Sequence, residues 1–170
     1  MGLKRIVVFL LIVLVGASSG TAKRKYKFDL NHDYMVVQTA SAAQGKLVKA
    51  WAYGKSADKA IEQAKMDAVA AAFFTGIQPA MDGQGVGTLP PLVDQAGYVE
   101  YESFFTKFFT EGEFMNYVRE VNSAYPSGEN NVSTPQGRRV GINLVLYYDE
   151  LRQMLEANGI RKSLDDFFHY

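Results

Sequence analysis

The chain has 170 residues, 18 basic and 18 acidic side chains and no cysteine. Zero cysteines exclude disulfides, thiolate metal sites, cysteine nucleophiles and a lipid-modified N-terminal cysteine. The even charge balance gives no electrostatic case for nucleic acid as a partner.

The first 22 residues read as a secretory signal. Lys4 and Arg5 form a basic start, Ile6 to Val15 an apolar run too short for a comfortable membrane span, and Gly16 to Ala22 a stretch of small residues. Cleavage is expected near Ala22, with the position after Ser19 as the alternative. Without Lys4 and Arg5 the 18 basic residues become 16 against 18 acidic ones, a net charge of −2. The expectation is an exported, non-lipidated periplasmic protein with no integral membrane span once the signal is removed, and with residues 23–170 forming one domain.

Lys23 to Asp33 is a charged arm carrying Tyr26 and Phe28, and Tyr34 to Thr39 reads as a strand rich in β-forming residues. After the turn-like SAAQGK, the stretch KLVKAWAYGK alternates. Leu47, Lys49, Trp51 and Tyr53 point one way, and Val48, Ala50, Ala52 and Gly54 the other. Ser56 is placed to cap a helix, with Asp58 near its positive end. Ala57, Ala60, Ile61, Ala64, Ala68, Ala71 and Ala72 then form a stripe of small side chains, with Lys59, Glu62, Lys65 and Asp67 away from it, and Gly76 is suited to end the helix. Alanine on the helix opposite Ala50, Ala52 and Gly54 on the strand predicts a close helix-on-sheet approach. The GKS at 54–56 lacks the upstream glycine and spacing of a phosphate loop.

Residues 77–99 hold glycines and prolines without periodicity, a loop long enough to suggest function or motion. Tyr101 to Thr110 returns to helical spacing with Phe104, Phe105, Phe108 and Phe109, a stripe that suits core better than a cofactor site. Residues 114–123 read as a strand, and 126–137 as a polar hairpin-type loop in which Asn131-Val132-Ser133 matches a glycosylation acceptor only at chance level. In RRVGINLVLYYD, Val140, Ile142, Leu144 and Leu146 make one face and Arg139, Asn143, Val145 and Tyr147 the other. Asp149 is expected to cap a short helix through Leu151, Met154 and Leu155, stopped by Gly159, and the tail beyond carries Ile160, Leu164, Phe167 and Phe168. The order predicts an α+β fold, an antiparallel or mixed sheet of about four strands with helices packed on one face.

The unit VKAWAYGKSADKAIEQAKMDAVAAA resembles the strand and alanine-rich helix module of the small outer-membrane lipoprotein family, and a comparable module in the N-terminal domain of flagellar assembly protein T. The ending RRVGINLVLYYDELRQMLEANGI resembles the closing strand and helix of related exported proteins of gut-type anaerobes, which occur beside curli-secretion-pore-like lipoproteins. The likeness covers half of the mature chain and departs from the lipoprotein pattern in having no cysteine to lipidate. It implies an envelope setting and makes a secretion-pore-like lipoprotein one candidate partner. It carries over no catalytic residue.

Chemistry is sparse. The two histidines, His32 and His169, stand near opposite ends of the mature chain, and neither Ser41 nor Ser56 sits in a nucleophile motif. Asp149-Glu150 and Asp165-Asp166 are sequence neighbours and so diverge, and neither loop has the alternating oxygen ligands of a calcium site. No catalytic residue, cofactor or metal is therefore expected. The sharper feature is the sheet face opposite the alanines, which collects Trp51, Tyr53 and Tyr147, with Tyr117 as a further candidate. Such a face either binds a partner or is covered by the arm, the long loop or the tail. Two functions follow: a non-enzymatic adaptor or assembly module binding an envelope protein through these aromatics, or a hydrolase or small-ligand binder with its site under the 77–99 loop.

Overall fold

A computed structural model describes residues 25–29, 34–81, 86–122 and 125–161. The signal segment, both histidines, Asp165-Asp166 and the tail beyond Arg161 lie outside the described residues. Two alternating stretches separated by the turn at Ala43-Gln44 pair as an antiparallel hairpin, β1 (Met35–Ala42) and β2 (Gly45–Gly54). Met35 stands opposite Trp51 and Val37 opposite Lys49, with a register shift between Gln38 and Ala40.

Ser56 caps the helix α1 (Ala57–Phe74) as its residue type predicts, its hydroxyl accepting from the Lys59 N–H at 3.3 Å. At the other end Gly76 takes a positive φ of 74° and its N–H bonds the Ala71 carbonyl at 2.8 Å. The chain then lays down β3 (Gln78–Pro79) parallel to β1. The long loop returns to α1, where the Leu92 and Val93 N–H groups bond the carbonyls of Ala72 and Phe73 at 3.0 and 2.9 Å. Part of the loop thus satisfies carbonyls that the helix end leaves open.

Two helices follow, α2 (Gln95–Glu100), capped by the Asp94 carboxylate, and α3 (Glu102–Thr110). A short 3-10 turn over Glu113–Tyr117 leads into β4 (Val118–Glu120). After β5 (Asn131–Thr134) the long strand β6 (Gly137–Leu146) runs antiparallel to β2, from Leu146 beside Lys46 to Arg138 beside Gly54. Both β4 and β5 pair with the outer edge of β6. The helix α4 (Tyr148–Ala157) closes the described chain. The fold is α+β: a mixed six-stranded sheet, ordered β3-β1-β2-β6-β4 with β5 also on β6, and four helices. No helix among the described residues is long and apolar enough to cross a membrane.

The core lies between the sheet and the helices. Val48, Ala50, Ala52, Val140, Leu144 and Leu146 meet Ala57, Ala60, Ala64, Ala68 and Ala71 there, all buried. The approach is closest at Gly54, where a Cβ would stand 2.4 Å from the Ala60 nitrogen. That is why small residues occupy both faces. On its second side α1 meets α3: the Phe73 ring lies 5.5 Å from Phe105, 5.5 Å from Phe108 and 5.9 Å from Phe109. The arm joins this layer, with Phe28 stacked 4.1 Å from Phe109 and Tyr26 edge-on to Phe114.

Several expectations are corrected. The sheet has six strands where about four were expected, because β3 is a two-residue pairing through Gln-Pro and β5 lies inside the polar 126–137 stretch. Residues 114–117 of the expected strand wind into the 3-10 turn, which sinks Phe114 into the core. Asp149 does not cap α4; the helix starts one residue earlier at Tyr148, leaving Asp149 in its first turn. Asp67, placed away from the alanine stripe, is 2% exposed; it lies among Gln63, Tyr34 and Asp29 at the start of β1.

Candidate functional site

Register assigns the sheet's second face. Opposite strand partners share a face, so Tyr53 stands beside Arg139 and Val132, Trp51 beside Met35 and Gly141, Lys49 beside Val37 and Asn143, and Leu47 beside Val145 and Arg119. Val145 is the only buried apolar residue among those described that stands outside the core cluster. Trp51, Tyr53 and Tyr147 do not pack against that cluster either. Met35, Tyr53 and Val132 are exposed, at 41%, 55% and 42%.

The three sequence-predicted aromatics are thus brought onto one open face. Trp51 lies flat across β6, and Gly141 makes this possible: a Cβ there would stand 2.6 Å from the indole Nε1. The Lys49 ammonium sits 4.9 Å from the centre of the Trp51 ring, a cation–π contact. At the far end Arg119 donates from Nε to the Tyr147 hydroxyl at 3.2 Å. Tyr117 is not on this face. It precedes β4 in the 3-10 turn and packs on the core, its ring 5.8 Å from Phe108. The strand period did not reach it, since that segment is not extended.

Among the described residues, the rings of the arm and the apolar side chains of the loop lie on the helix side. The described arm residues Tyr26 and Phe28 pack on Phe114 and Phe109, and the loop buries Leu89, Leu92 and Val93 in the core. The tail beyond Arg161 lies outside the described residues. Below the loop a cleft of about 350 Å³ runs between Pro91, Asp94, Gly97 and Ile160. Arg161 at its rim donates to the Leu92 carbonyl at 3.0 Å.

At the start of β1 a larger cleft of about 360 Å³ opens from the aromatic face past Met35, Trp51 and Tyr53 towards Gln63 and Asp67, with Lys27 and Asp29 of the arm beside it. Asp67 accepts from the Gln63 amide at 2.8 Å. Nearby, burial first, and then the carboxylates of Asp67 and Asp29, push the Tyr34 phenol well above the ordinary tyrosine range. The folded chain therefore holds this proton more tightly than the unfolded chain does. The contribution is intact below about pH 10 and is lost as pH rises above it. Urea denaturation across this range is expected to show a falling midpoint on the alkaline side, with a shallower fall in Tyr34→Phe; an unchanged slope would mean that other tyrosines carry the dependence.

Sequence reasoning placed Lys49 and Arg139 on the correct faces but drew no consequence from them. Met35, Val132 and Arg119 need the pairing register, which strand periodicity does not supply. Set against family models, curated proteins and solved structures, the chain finds no match in any of the three comparisons.

Proposed function

We propose that this protein is a non-enzymatic adaptor or assembly module of the cell envelope, exported to the periplasm, that binds an envelope protein through the open face of its sheet. One observation carries the reading. Trp51 and Tyr53 at one end, and Tyr147 held by Arg119 at the other, stand along a face that the described core does not use. Tryptophan and tyrosine dominate binding hot spots because they bury large area at low entropic cost. The basic, apolar and small-residue order of the first 22 residues supports the compartment. The resemblance of the strand–helix unit makes a secretion-pore-like lipoprotein one candidate partner.

The test uses the native full-length gene product. Its intact mass after purification from envelope fractions is expected to correspond to a start near Lys23; a cytoplasmic species retaining Met1 would refute export. Crosslinking capture is then compared for wild type, Trp51→Ala, Tyr53→Ala and Tyr147→Ala. Each variant is expected to lose far less stability than the roughly 3–5 kcal/mol of a fully buried ring. Capture should fall by about 2 kcal/mol or more of binding free energy for at least one of them. A large stability loss with undiminished capture would remove the reading.

A further inference from the structure

We propose that the open face takes an acidic segment of the partner protein, an extended stretch that turns carboxylates and an apolar or aromatic side chain to the same side, at every second position. The inference rests on the function proposed above and adds the chemistry of the partner. Every charged residue at the strand positions of this face is a cation: Lys49, Arg119 and Arg139. Among the described residues none of the three forms an ion pair, whereas on the core side of the sheet Lys65 of α1 holds Glu120 of β4 at 2.6 Å. A chain balanced at 18 basic and 18 acidic residues thus sets only cations at the strand positions of this face, with Asp29 and Asp67 at its edge in the cleft beside Trp51.

The cations are held in place. Lys49 is kept over the Trp51 ring by the cation–π contact, and Arg119 is tied through Nε to Tyr147. The Arg139 Nε is out of reach of solvent and has no hydrogen-bond partner. Apolar surface lies between the charges: Trp51 separates the rows of Lys49 and Arg139, with Met35, Tyr53 and Val132 exposed around them. The rows of Arg119 and Arg139 are six residues apart along β6, or about 20 Å at ~3.3 Å per residue. An extended segment of about six or seven residues spans that distance.

A polypeptide fits better than the other polyanions. Lipid-surface recognition ordinarily uses roughly four to eight clustered cations. This face has three, interleaved with rings and aliphatic groups.

The experiment extends the crosslinking capture with Lys49→Gln/Arg139→Gln and, as a control outside the face, Lys59→Gln. In parallel, binding is measured by fluorescence anisotropy to a labelled peptide Glu-Ser-Glu-Ser-Phe-Ser-Glu and to its Gln-Ser-Gln-Ser-Phe-Ser-Gln counterpart, with phosphatidylglycerol vesicles as a competitor. The acidic peptide is expected to bind about ten-fold tighter than the neutral one, and the double variant to lose about that factor while Lys59→Gln loses none. Raising salt should weaken wild type towards the double variant. If the double variant unfolds, Lys49→Gln alone and the wild-type salt dependence carry the same comparison. Capture lost in Trp51→Ala but kept in Lys49→Gln/Arg139→Gln, with both peptides bound equally, overturns the acidic partner and leaves the adaptor function standing. Capture unaffected by any of Trp51→Ala, Tyr53→Ala and Tyr147→Ala overturns both. Vesicles displacing the peptide at equal anionic charge overturn the polypeptide in favour of a membrane surface.

Discussion

Phe73→Ala is expected to destabilise the protein by about 3–5 kcal/mol. The ring is fully buried at the last turns of α1, between the sheet layer and α3. Phe105, Phe108 and Phe109 all place their rings within 6 Å of it, largely edge to face. Removing it takes away the transfer free energy of a large apolar group. It also leaves a cavity that three aromatic rings, fixed by their own neighbours, cannot collapse to fill. For a domain with a net stability of about 5–15 kcal/mol, that loss is a large share of the total. Urea denaturation followed by circular dichroism measures it, and the midpoint should fall with little change in slope. Phe104→Ala is the comparison: that ring is only partly buried, at the edge of the same cluster, and should cost clearly less. Equal losses at the two positions would mean that Phe73 is not the keystone between the layers.

Ala68→Leu and Ala64→Leu are expected to cost about 1–3 kcal/mol each, by overpacking rather than by loss. Both alanines have no exposed surface and lie on the stripe that begins at Ala57 and Ala60. At that stripe the strand and helix backbones come so close that even a Cβ on Gly54 would meet the Ala60 nitrogen. An isobutyl group must either leave its rotamer well or push the helix off the sheet. Lys59→Leu is the control, since Lys59 is exposed and its bond to Glu62 is a surface pair worth little. If all three substitutions act alike, α1 does not approach the sheet through its alanines.

Much of this geometry is local and therefore legible in one dimension. Ser56, Gly76 and the three- and four-residue spacing of alanine specify α1 because capping and helical periodicity act within a few residues. The alternation of Lys49, Trp51 and Tyr53 against Val48, Ala50 and Ala52 puts the aromatics opposite the alanine contact, since successive side chains on a strand must point to opposite faces. Half of the candidate site could be read in this way.

What remained depends on which segments meet. Tyr117 joins the aromatic face only if 114–123 is extended throughout; the 3-10 turn packs it against the core instead, because the folded chain buries Phe114 beside Phe109 and Tyr26. Asp67 sits among charged residues on what would be a solvent face of an isolated helix, and becomes buried only when Tyr34 and Asp29, far from it in the chain, fold beside it. The β5 strand has the composition of a loop and is a strand only because β6 offers it an edge. The sequence by itself determined the helix α1, the two-faced strands β2 and β6, and the side on which Trp51, Tyr53 and Tyr147 fall. Only tertiary pairing set the register that brings Arg119 next to the row of Lys49 and puts Arg139 beyond the row of Trp51, because strand pairing joins residues far apart in the chain and no local preference specifies it.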